Sequence, residues 1–323
     1  MLGEGFATHA LAQAVAQFPQ SAPVQISCPD PIEASDFLAM VIPPRKLLLA
    51  PWLPEKGLAM IAAPRGIGKT HVALNVAYAV ASGGMFLRWQ AEAPRRVLYI
   101  DGEMPAVTLQ ERLARIAEKA DATPAQGALA FVAADLSEFG LPDLSTPEGQ
   151  TAFMPKLAAF DLVVIDNLST LCRTGRENEA ESWALVQAFA LELRRAGKSV
   201  LFVHHTGKAG AQRGTSKRED VLDSVLLLKR PDDYEASQGA RFVVTFDKAR
   251  SFTGDDAKPF EAALNPLTGA WSMTEATAAR DANIREMKQQ GFSGRQIARE
   301  LGVNASTISR ALKRTNGSAH ADD

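Results

Sequence analysis

Residues 58–70 read Leu-Ala-Met-Ile-Ala-Ala-Pro-Arg-Gly-Ile-Gly-Lys-Thr, and more about this chain follows from them than from any other stretch. Their first half is a continuous apolar run with the length of a buried strand. Their second half, from Ala63 to Thr70, matches the pattern GxxxxGK[ST], with alanine in place of the first glycine. Apolar residues then recur at helical spacing from His71 to Ala81. The stretch therefore predicts a strand, a glycine-rich turn and a helix, in that order.

This turn has the chemistry of a phosphate-binding loop. Glycines in it let backbone N–H groups approach a phosphate, and the alanine is tolerated if its φ is negative. Lys69 is expected to reach the β- and γ-phosphates of ATP, and the Thr70 hydroxyl to ligate Mg²⁺. The alternative is a strand-to-helix turn that binds nothing. The expected nucleotide-binding residues are Ala63, Pro64, Arg65, Gly66, Ile67, Gly68, Lys69, Thr70 and His71.

Two further apolar strands are followed by carboxylates. The run 161–166 ends in Asp166, which has the place of a Walker B aspartate that orients magnesium ligands. The alternative is a strand-end aspartate that caps the next helix. The run 96–100 is followed by Asp101 and Glu103, and a carboxylate there could polarise an attacking water. The alternative is stabilisation of a helix N-terminus, since Pro105 suits a first turn.

A third strand, Ser199–Val203, is followed by His204 and His205. We do not expect a metal site, because no other ligand cluster accompanies them. A neutral imidazole that senses the γ-phosphate and a hydrogen-bonded strand-end histidine are both open. The two cysteines, Cys28 and Cys172, form no CxxC pair and indicate a reduced compartment without a zinc site or disulfide framework.

Apolar strands that alternate with amphipathic helices predict an α/β fold, with a parallel sheet covered on both faces. After residue 228, turn-rich segments separate short strands at 241–246, 259–264 and 270–273, which predicts antiparallel edge strands. We therefore divide the chain into a proline-interrupted arm (1–45), an ATPase domain (46–275), a helix-turn-helix domain (281–315) and a disordered tail (316–323). The arm contains one helical patch, Leu11–Phe18.

Along the chain, a strand and the phosphate-binding loop are followed by a strand with Glu103, a strand with Asp166, and a strand with two histidines and a basic loop. This order resembles that of the RecA-like P-loop ATPases. Within them the chain is most similar to plasmid replicative helicases of the RepA type and related mobile-element ATPases. The resemblance spans roughly residues 45–275. It implies a parallel core with antiparallel flanking strands and helices on both faces. It also implies a ring or filament of subunits, often hexameric, with ATP sites at subunit interfaces.

The resemblance implies a role for each matching position. Lys69 and Thr70 hold ATP and Mg²⁺, and Asp166 is the Walker B residue. Glu103 is the general base, with Asp101 as the next candidate. His205, or else His204, senses the γ-phosphate.

It also implies roles for basic residues outside these strands. The loop 207–218 faces a central channel and the neighbouring subunit, and its cations are Lys208, Arg213, Lys217 and Arg218. Lys248 and Arg250 reach into the adjacent subunit's ATP site, where a cation stabilises charge in the transition state. The alternative for all of them is a solvated surface. The resulting set of catalytic residues is Lys69, Glu103, Asp166, His205, Arg213, Lys248 and Arg250.

Residues 280–314 carry eight basic and three acidic side chains, although the whole chain has a net charge of −2. Three short helices are predicted at 281–290, 294–301 and 305–314, with Ser293 and Asn304 as N-caps. The pattern resembles the helix-turn-helix of the Hin and resolvase recombinases, whose third helix enters the major groove. The alternative is a module that binds protein. The expected DNA-binding residues are Arg295, Ser306, Thr307, Arg310, Lys313 and Arg314.

These features favour an ATP-hydrolysing DNA motor or replication factor, with DNA, further copies of the chain and other mobile-element replication proteins as partners. Two alternatives use the same site: a DNA-binding regulator switched by ATP, and an ATPase that loads a partner. We expect a cytoplasmic location and no membrane partner, because the N-terminus lacks a basic signal region and no apolar run reaches about 18 residues.

Overall fold

The structure, a computed structural model, describes residues 29–173, 180–206, 220–231 and 233–318, without the side chains of 180–182, 277–279, 306 and 313–318. The chain forms two units, the first ending at Pro44 and the second beginning at Arg45. In the first unit, helix α1 (Ala34–Ala39) exposes every residue. The predicted helical patch Leu11–Phe18 lies outside the described residues.

The strands of the second unit are short and buried mainly where they lie centrally in the sheet. In chain order they are β1 Leu47–Leu49, β2 Leu53–Pro54, β3 Leu58–Ala63, β4 Met85–Phe86, β5 Trp89–Gln90, β6 Val97–Asp101, β7 Leu129–Ala133, β8 Leu162–Asp166, β9 Ser199–His205, β10 Ser224–Lys229, β11 Arg241–Ala249, β12 Phe260–Leu264 and β13 Trp271–Glu275. The helices of the second unit are α2 Lys69–Ser82, α3 Ala106–Lys119, α4 Pro147–Leu157, α5 Leu168–Leu171, α6 Ala180–Arg195, α7 Ala276–Gln289, α8 Gly294–Glu300 and α9 Ala305–Ser318. Within the described residues, no helix is long and apolar enough to span a membrane.

The main sheet has nine strands among the described residues, in the order β13-β12-β11-β10-β3-β9-β8-β6-β7. Strands β10, β3, β9, β8, β6 and β7 are parallel to one another. Strands β11, β12 and β13 continue the sheet in antiparallel pairs. The parallel core with antiparallel flanking strands, predicted as a RecA-like α/β fold, is therefore confirmed.

Both faces of the sheet are covered, because the buried strands have apolar side chains on both sides. Along β3, Ala59 and Ile61 pack with α2 in one core, whereas Leu58 and Met60 pack with α4 and α6 in the other. Successive side chains of a strand point to opposite faces, so a continuous apolar run fills two cores. This geometry carries β3, β6, β8 and β9 to the same edge, where their carboxyl ends meet.

Five of the short strands were not predicted. Strand β7 is an edge strand whose apolar residues continue into the turn Ala134–Leu136, so the run shows no clear boundary. The hairpins β1–β2 and β4–β5 consist of two or three residues per strand, which is too short for an alternating pattern. Helix α4, which begins with Thr146 as N-cap and Pro147 in its first turn, was also missed.

The C-terminal module has the three predicted helices and its own small core. Its buried side chains are Ile284, Ile297, Leu301, Ile308 and Ala311. Ser293 caps α8 as predicted, since its hydroxyl accepts the Gln296 N–H while the Gln296 side chain accepts the Ser293 N–H. Helix α9 continues to Ser318, so residues 316–318 of the predicted tail are helical. Each added residue of an established helix gains a backbone hydrogen bond, which accounts for the extension.

Asp223 links three parts of the chain at the edge of the sheet opposite the phosphate-binding loop. It is buried, accepts a hydrogen bond from the Leu58 N–H at 2.9 Å, and pairs with Arg45 at 3.0 Å and Arg194 at 3.6 Å. Burial by itself raises the pKa of Asp223, but these donors together hold it below its ordinary value. The folded protein therefore stabilises the ionised form of Asp223 over the protonated form.

Asp223→Asn should lower the free energy of unfolding by about 2 kcal/mol, the scale of a hydrogen bond to a charged group. Because the pKa of Asp223 is lower in the folded protein, its contribution is complete above the ordinary pKa and is lost as the pH falls through the folded-state pKa. Urea unfolding at several pH values tests this. A difference between wild type and variant that stayed constant down to about pH 3 would contradict the assignment.

Candidate active site

The loop between β3 and α2 requires glycine at two places. Gly66 has φ 75° and Gly68 has φ 122°, in the left-handed region that other residues avoid. A Cβ on Gly68 would lie 3.1 Å from the Ala240 Cβ and 3.2 Å from a ring carbon of Phe242. Ala63, at the place of the first glycine, belongs to strand β3 and pairs with His205. Its extended backbone explains why alanine is accommodated there.

Lys69 is folded back onto the loop that precedes it. Its Nζ donates to the carbonyl of Ala63 at 2.9 Å and to that of Pro64 at 2.8 Å, and the side chain is buried. Burial lowers the pKa of Lys69 to about 8, although the charges of Asp166 and Glu103 act in the opposite direction. A phosphate in the loop would supply the anionic partner that these neutral carbonyls do not.

Asp166, at the end of β8, is buried beside the loop. It accepts hydrogen bonds from the Tyr99 hydroxyl at 2.6 Å and from Thr70. Burial raises the pKa of Asp166 to about 6, and these two hydrogen bonds and the charge of Lys69 only partly oppose the rise. A hydroxyl next to a buried carboxylate is the kind of oxygen donor set that suits Mg²⁺, which keeps most of its ligands as water and phosphate. The residues present therefore fit that ion.

The two carboxylates after β6 have different surroundings. Asp101 is buried, and its Oδ1 accepts the backbone N–H groups of Glu103 at 3.0 Å and Met104 at 2.6 Å. Asp101 therefore stabilises the turn into α3. The Glu103 side chain is 61% exposed. It extends towards the end of the neighbouring strands, so the structure places Glu103 rather than Asp101 where a water could be reached.

The side chain of Glu103 meets residues from two neighbouring strand ends. The Asn167 amide nitrogen donates to Glu103 Oε2 at 2.6 Å. His205 Nε2 lies 3.7 Å from the same oxygen, which is too long for a hydrogen bond. Burial, with the nearby charge of Lys69, lowers the pKa of His205. His204, by contrast, is buried on the strand and does not line the cleft.

These residues surround a cleft of about 570 Å³. Its walls are the loop from Arg65 to His71, the first turn of α3, the ends of β6 and β8, and residues Gly239 and Ala240. Lys69, Thr70, Glu103, Asp166 and His205 therefore face one space, as the sequence predicted. A second cleft of about 690 Å³ adjoins it and shares His71, Thr108 and Arg112 with it.

Several residues of this site were not predicted. Tyr99 and Asn167 contact Asp166 and Glu103, and Arg112 from α3 lines both clefts. Arg230 donates to the Gly66 carbonyl at 3.0 Å while its guanidinium lies 3.7 Å above the Tyr234 ring. Of these residues, only Tyr99 gave a signal in the sequence, because a tyrosine in an apolar strand needs a partner for its hydroxyl. The peptide bond between Asp166 and Asn167 is cis.

The structure does not bring Lys248 and Arg250 into this cleft. Both donate to the Asp220 carbonyl. In the sheet, Lys248 of β11 lies opposite Val225 of β10, and Val225 lies opposite Met60, near the amino end of β3. The phosphate-binding loop begins at the other end of that strand, about 10 Å away at 3.3 Å per residue. Within one molecule they lie at the opposite edge of the sheet. Lys208, Arg213, Lys217 and Arg218 lie outside the described residues.

The predicted DNA-binding residues lie on α8 and α9. Arg295 and Arg310 are exposed, and Thr307 is half-buried beside the module's core. Ile297 and Ile308 face inward, which leaves Arg310 of α9 on the outer surface. The side chains of Ser306, Lys313 and Arg314 are not among those that the structure describes.

The sheet order, the phosphate-binding loop and the carboxylates at neighbouring strand ends define a RecA-like P-loop ATPase with a C-terminal helix-turn-helix. A family model described as an AAA domain matches residues 23–211, which is more than half of the chain. The chain belongs to this AAA family of ATPases, whose members generally bind ATP with Mg²⁺. A second model, described as a helix-turn-helix domain, matches residues 282–315.

Two solved structures are similar to the chain. One is the flagellar accessory protein FlaH from Methanocaldococcus jannaschii, with 11% identity, a TM-score of 0.49, and coverage of 69% of this chain and 91% of that one. The other is a KaiC-like protein from Pyrococcus horikoshii, with 17% identity, a TM-score of 0.49, and coverage of 70% of this chain and 93% of that one.

Proposed function

We propose that the protein is an ATP-hydrolysing, oligomeric DNA-binding protein, a helicase or replication factor of a plasmid or mobile element like the RepA-type proteins it resembles. One observation carries this proposal. Lys69, Asp166 and Glu103 face a single cleft in a chain that also has a helix-turn-helix with exposed arginines. The protein would act in the cytoplasm, with DNA and other replication proteins as partners.

The side chains suggest how hydrolysis would proceed. A water attacks the γ-phosphorus, its proton passes to Glu103, and the bond to the β-phosphate breaks as the electron pair leaves with ADP. Lys69 leaves the Ala63 and Pro64 carbonyls and compensates charge on the β- and γ-phosphates. His205, neutral because burial lowers its pKa, contacts the γ-phosphate side. Thr70 and Asp166 would hold Mg²⁺, which would supply positive charge beside the phosphates.

The second cleft would accept the base and ribose. It begins at His71, the residue next to the magnesium-binding Thr70, and continues along one face of α2 through Asn75 and Tyr78. Burial, together with the charges of Arg112 and Arg115, lowers the pKa of His71 to about 4, so this imidazole is neutral at physiological pH. A neutral ring suits contact with a nucleoside.

Assembly should control hydrolysis, because Lys248 and Arg250 can reach a nucleotide only in another copy of the chain. Activity per subunit should rise with protein concentration. A mixture of Lys248→Ala and Lys69→Ala subunits should regain part of the activity that each lacks alone, since an intact loop can meet an intact Lys248. The measurement is phosphate release across mixing ratios, with light scattering for subunit number. A fully active monomer would rule this arrangement out.

The helix-turn-helix should provide sequence-dependent duplex binding. Arg310→Ala should cost about 1–3 kcal/mol at a preferred site if Arg310 contacts a base, whereas Lys313→Ala should weaken all duplexes alike. Fluorescence anisotropy over a salt series measures both effects, since loss of a phosphate contact makes the salt dependence shallower. ATP hydrolysis without DNA is the control and should be unchanged. Equal duplex affinity in wild type and both variants would indicate that the module binds protein.

Strand displacement on a forked duplex distinguishes the motor from the two alternatives. A motor should separate the strands with ATP and fail with a non-hydrolysable analogue, and Glu103→Gln should abolish separation. A regulator switched by ATP, or a partner-loading ATPase, would bind or assemble with either nucleotide and separate nothing. The second outcome would be consistent with the ATPase assignment and would contradict the helicase activity.

A further inference from the structure

The Asn167 side chain occupies a place in the cleft that packing alone does not explain. Asn167 follows the buried strand β8, is itself 3% exposed, and lines the nucleotide cleft. Its Nδ2 donates to Glu103 Oε2 at 2.6 Å. Among the described residues its Oδ1 accepts no hydrogen bond. A buried acceptor without a donor is unfavourable, and such groups in a folded protein call for a functional reason.

The orientation of this amide follows from its neighbour. With the amide reversed, the Asn167 oxygen would face the Glu103 carboxylate, and two acceptors at 2.6 Å would repel each other. Asn167 therefore presents its donor to Glu103. On the other side, His205 lies at 3.7 Å from the same carboxylate oxygen. Glu103 Oε2 is thus engaged, and Oε1 is the oxygen left to face a water.

Glu103 needs such support. It lies two residues after β6, at the entrance of the turn into α3, and its side chain is mostly exposed. A glutamate in this setting has several accessible rotamers, and holding it in one of them costs side-chain entropy. Asn167 is carried by the rigid end of β8, which pairs with β6 so that Asp166 lies opposite Asp101. The neighbouring strand therefore holds the carboxylate.

We propose that Asn167 is a positioning residue for hydrolysis: its buried amide holds Glu103 Oε2 so that Oε1 is aimed at the attacking water. This inference rests on the proposed ATPase function and on Glu103 as the base. Asn167 acts through Glu103 and contributes little to nucleotide binding. It differs in this from Lys69 and Thr70, which contact the phosphates directly.

A double-mutant cycle in the full-length protein tests the proposal. Asn167→Ala should lower kcat about tenfold or more and change the Kd of a non-hydrolysable ATP analogue by less than about threefold, because only the orientation of the base is lost. Asn167→Asp keeps the size of the side chain but places a carboxylate beside Glu103, and it should lower kcat at least as far. In the Glu103→Gln background, Asn167→Ala should have almost no further effect, since the base is already absent.

The outcomes separate two failures. Wild-type protein without ATPase activity, or with activity that survives Lys69→Ala, contradicts the proposed function itself. Hydrolysis that depends on Lys69 but keeps its full kcat in Asn167→Ala contradicts only the role of Asn167. An equal loss from Asn167→Ala with and without the Glu103 carboxylate, or a parallel loss of nucleotide affinity, would also overturn it. Thermal unfolding shows whether Asn167→Asp retains the fold. If Asn167→Asp does not fold, Asn167→Ala still provides the comparison of kcat with nucleotide affinity.

Discussion

Lys69→Ala should abolish ATP hydrolysis, a loss of more than about 10²-fold, because it removes the cation that reaches both terminal phosphates from within the subunit. The structure adds a reason to expect weaker binding as well. The Lys69 ammonium is buried against two neutral carbonyls, and burial lowers its pKa to about 8. A phosphate would give this buried charge an anionic partner, so part of the binding energy depends on this side chain.

The measurement is steady-state phosphate release together with the Kd of a fluorescent ATP analogue. Lys46→Ala, at an exposed lysine of the same unit, is the matched control and should behave as wild type. Because Lys69 loses its proton in the free protein above about pH 8, nucleotide affinity should also fall as the pH rises through that value. Wild-type turnover in Lys69→Ala would contradict the role of the phosphate-binding loop in hydrolysis.

Glu103→Gln should keep ATP binding and lower kcat by about 10²-fold or more, the scale of a lost general base. Glutamine has nearly the same shape and can still accept the Asn167 amide through its oxygen, so the site should keep its geometry. Glu118→Gln, on the exposed face of α3 away from both clefts, is the control. The two variants differ only in whether the altered carboxylate faces the nucleotide.

Single-turnover hydrolysis with bound nucleotide separates the chemical step from product release. Full activity in Glu103→Gln would mean that another group takes the proton. Asp101 is then a poor substitute, because its Oδ1 already accepts two backbone N–H groups and it is buried. The result would instead direct attention to His205, whose pKa is lowered and whose ring faces the same cleft.

The phosphate-binding loop was predictable because its requirements are local. The positive φ values of Gly66 and Gly68 belong to single residues, and Lys69 and Thr70 follow at fixed spacing on a helix. The helix-turn-helix was predictable for the same reason, since Ser293 and the apolar spacing of α8 and α9 act within about thirty residues. The carboxylates after β6 and β8 were also found, because a buried run that ends in an acid is a pattern along the chain.

What sequence reasoning missed depends on strand order. Asn167 is a donor to Glu103 only because β6 and β8 are neighbours, and His205 approaches the same oxygen only because β9 lies between β8 and β3. Arg230 contacts Gly66 because β10 pairs with β3. Each of these contacts joins residues far apart along the chain. No periodicity or spacing predicts them.

The amino-acid pattern of this chain was sufficient for the types of its main elements, its α/β class and the position of the phosphate-binding loop, because backbone conformation and side-chain alternation act over a few residues. The tertiary structure alone showed that Asp101 is buried and accepts two backbone N–H groups, whereas the Glu103 side chain is mostly exposed. It also placed Lys248 and Arg250 at the far edge of the sheet, away from the cleft of their own molecule. These outcomes depend on which strands lie side by side, and that order results from packing the whole sheet between its two layers of helices.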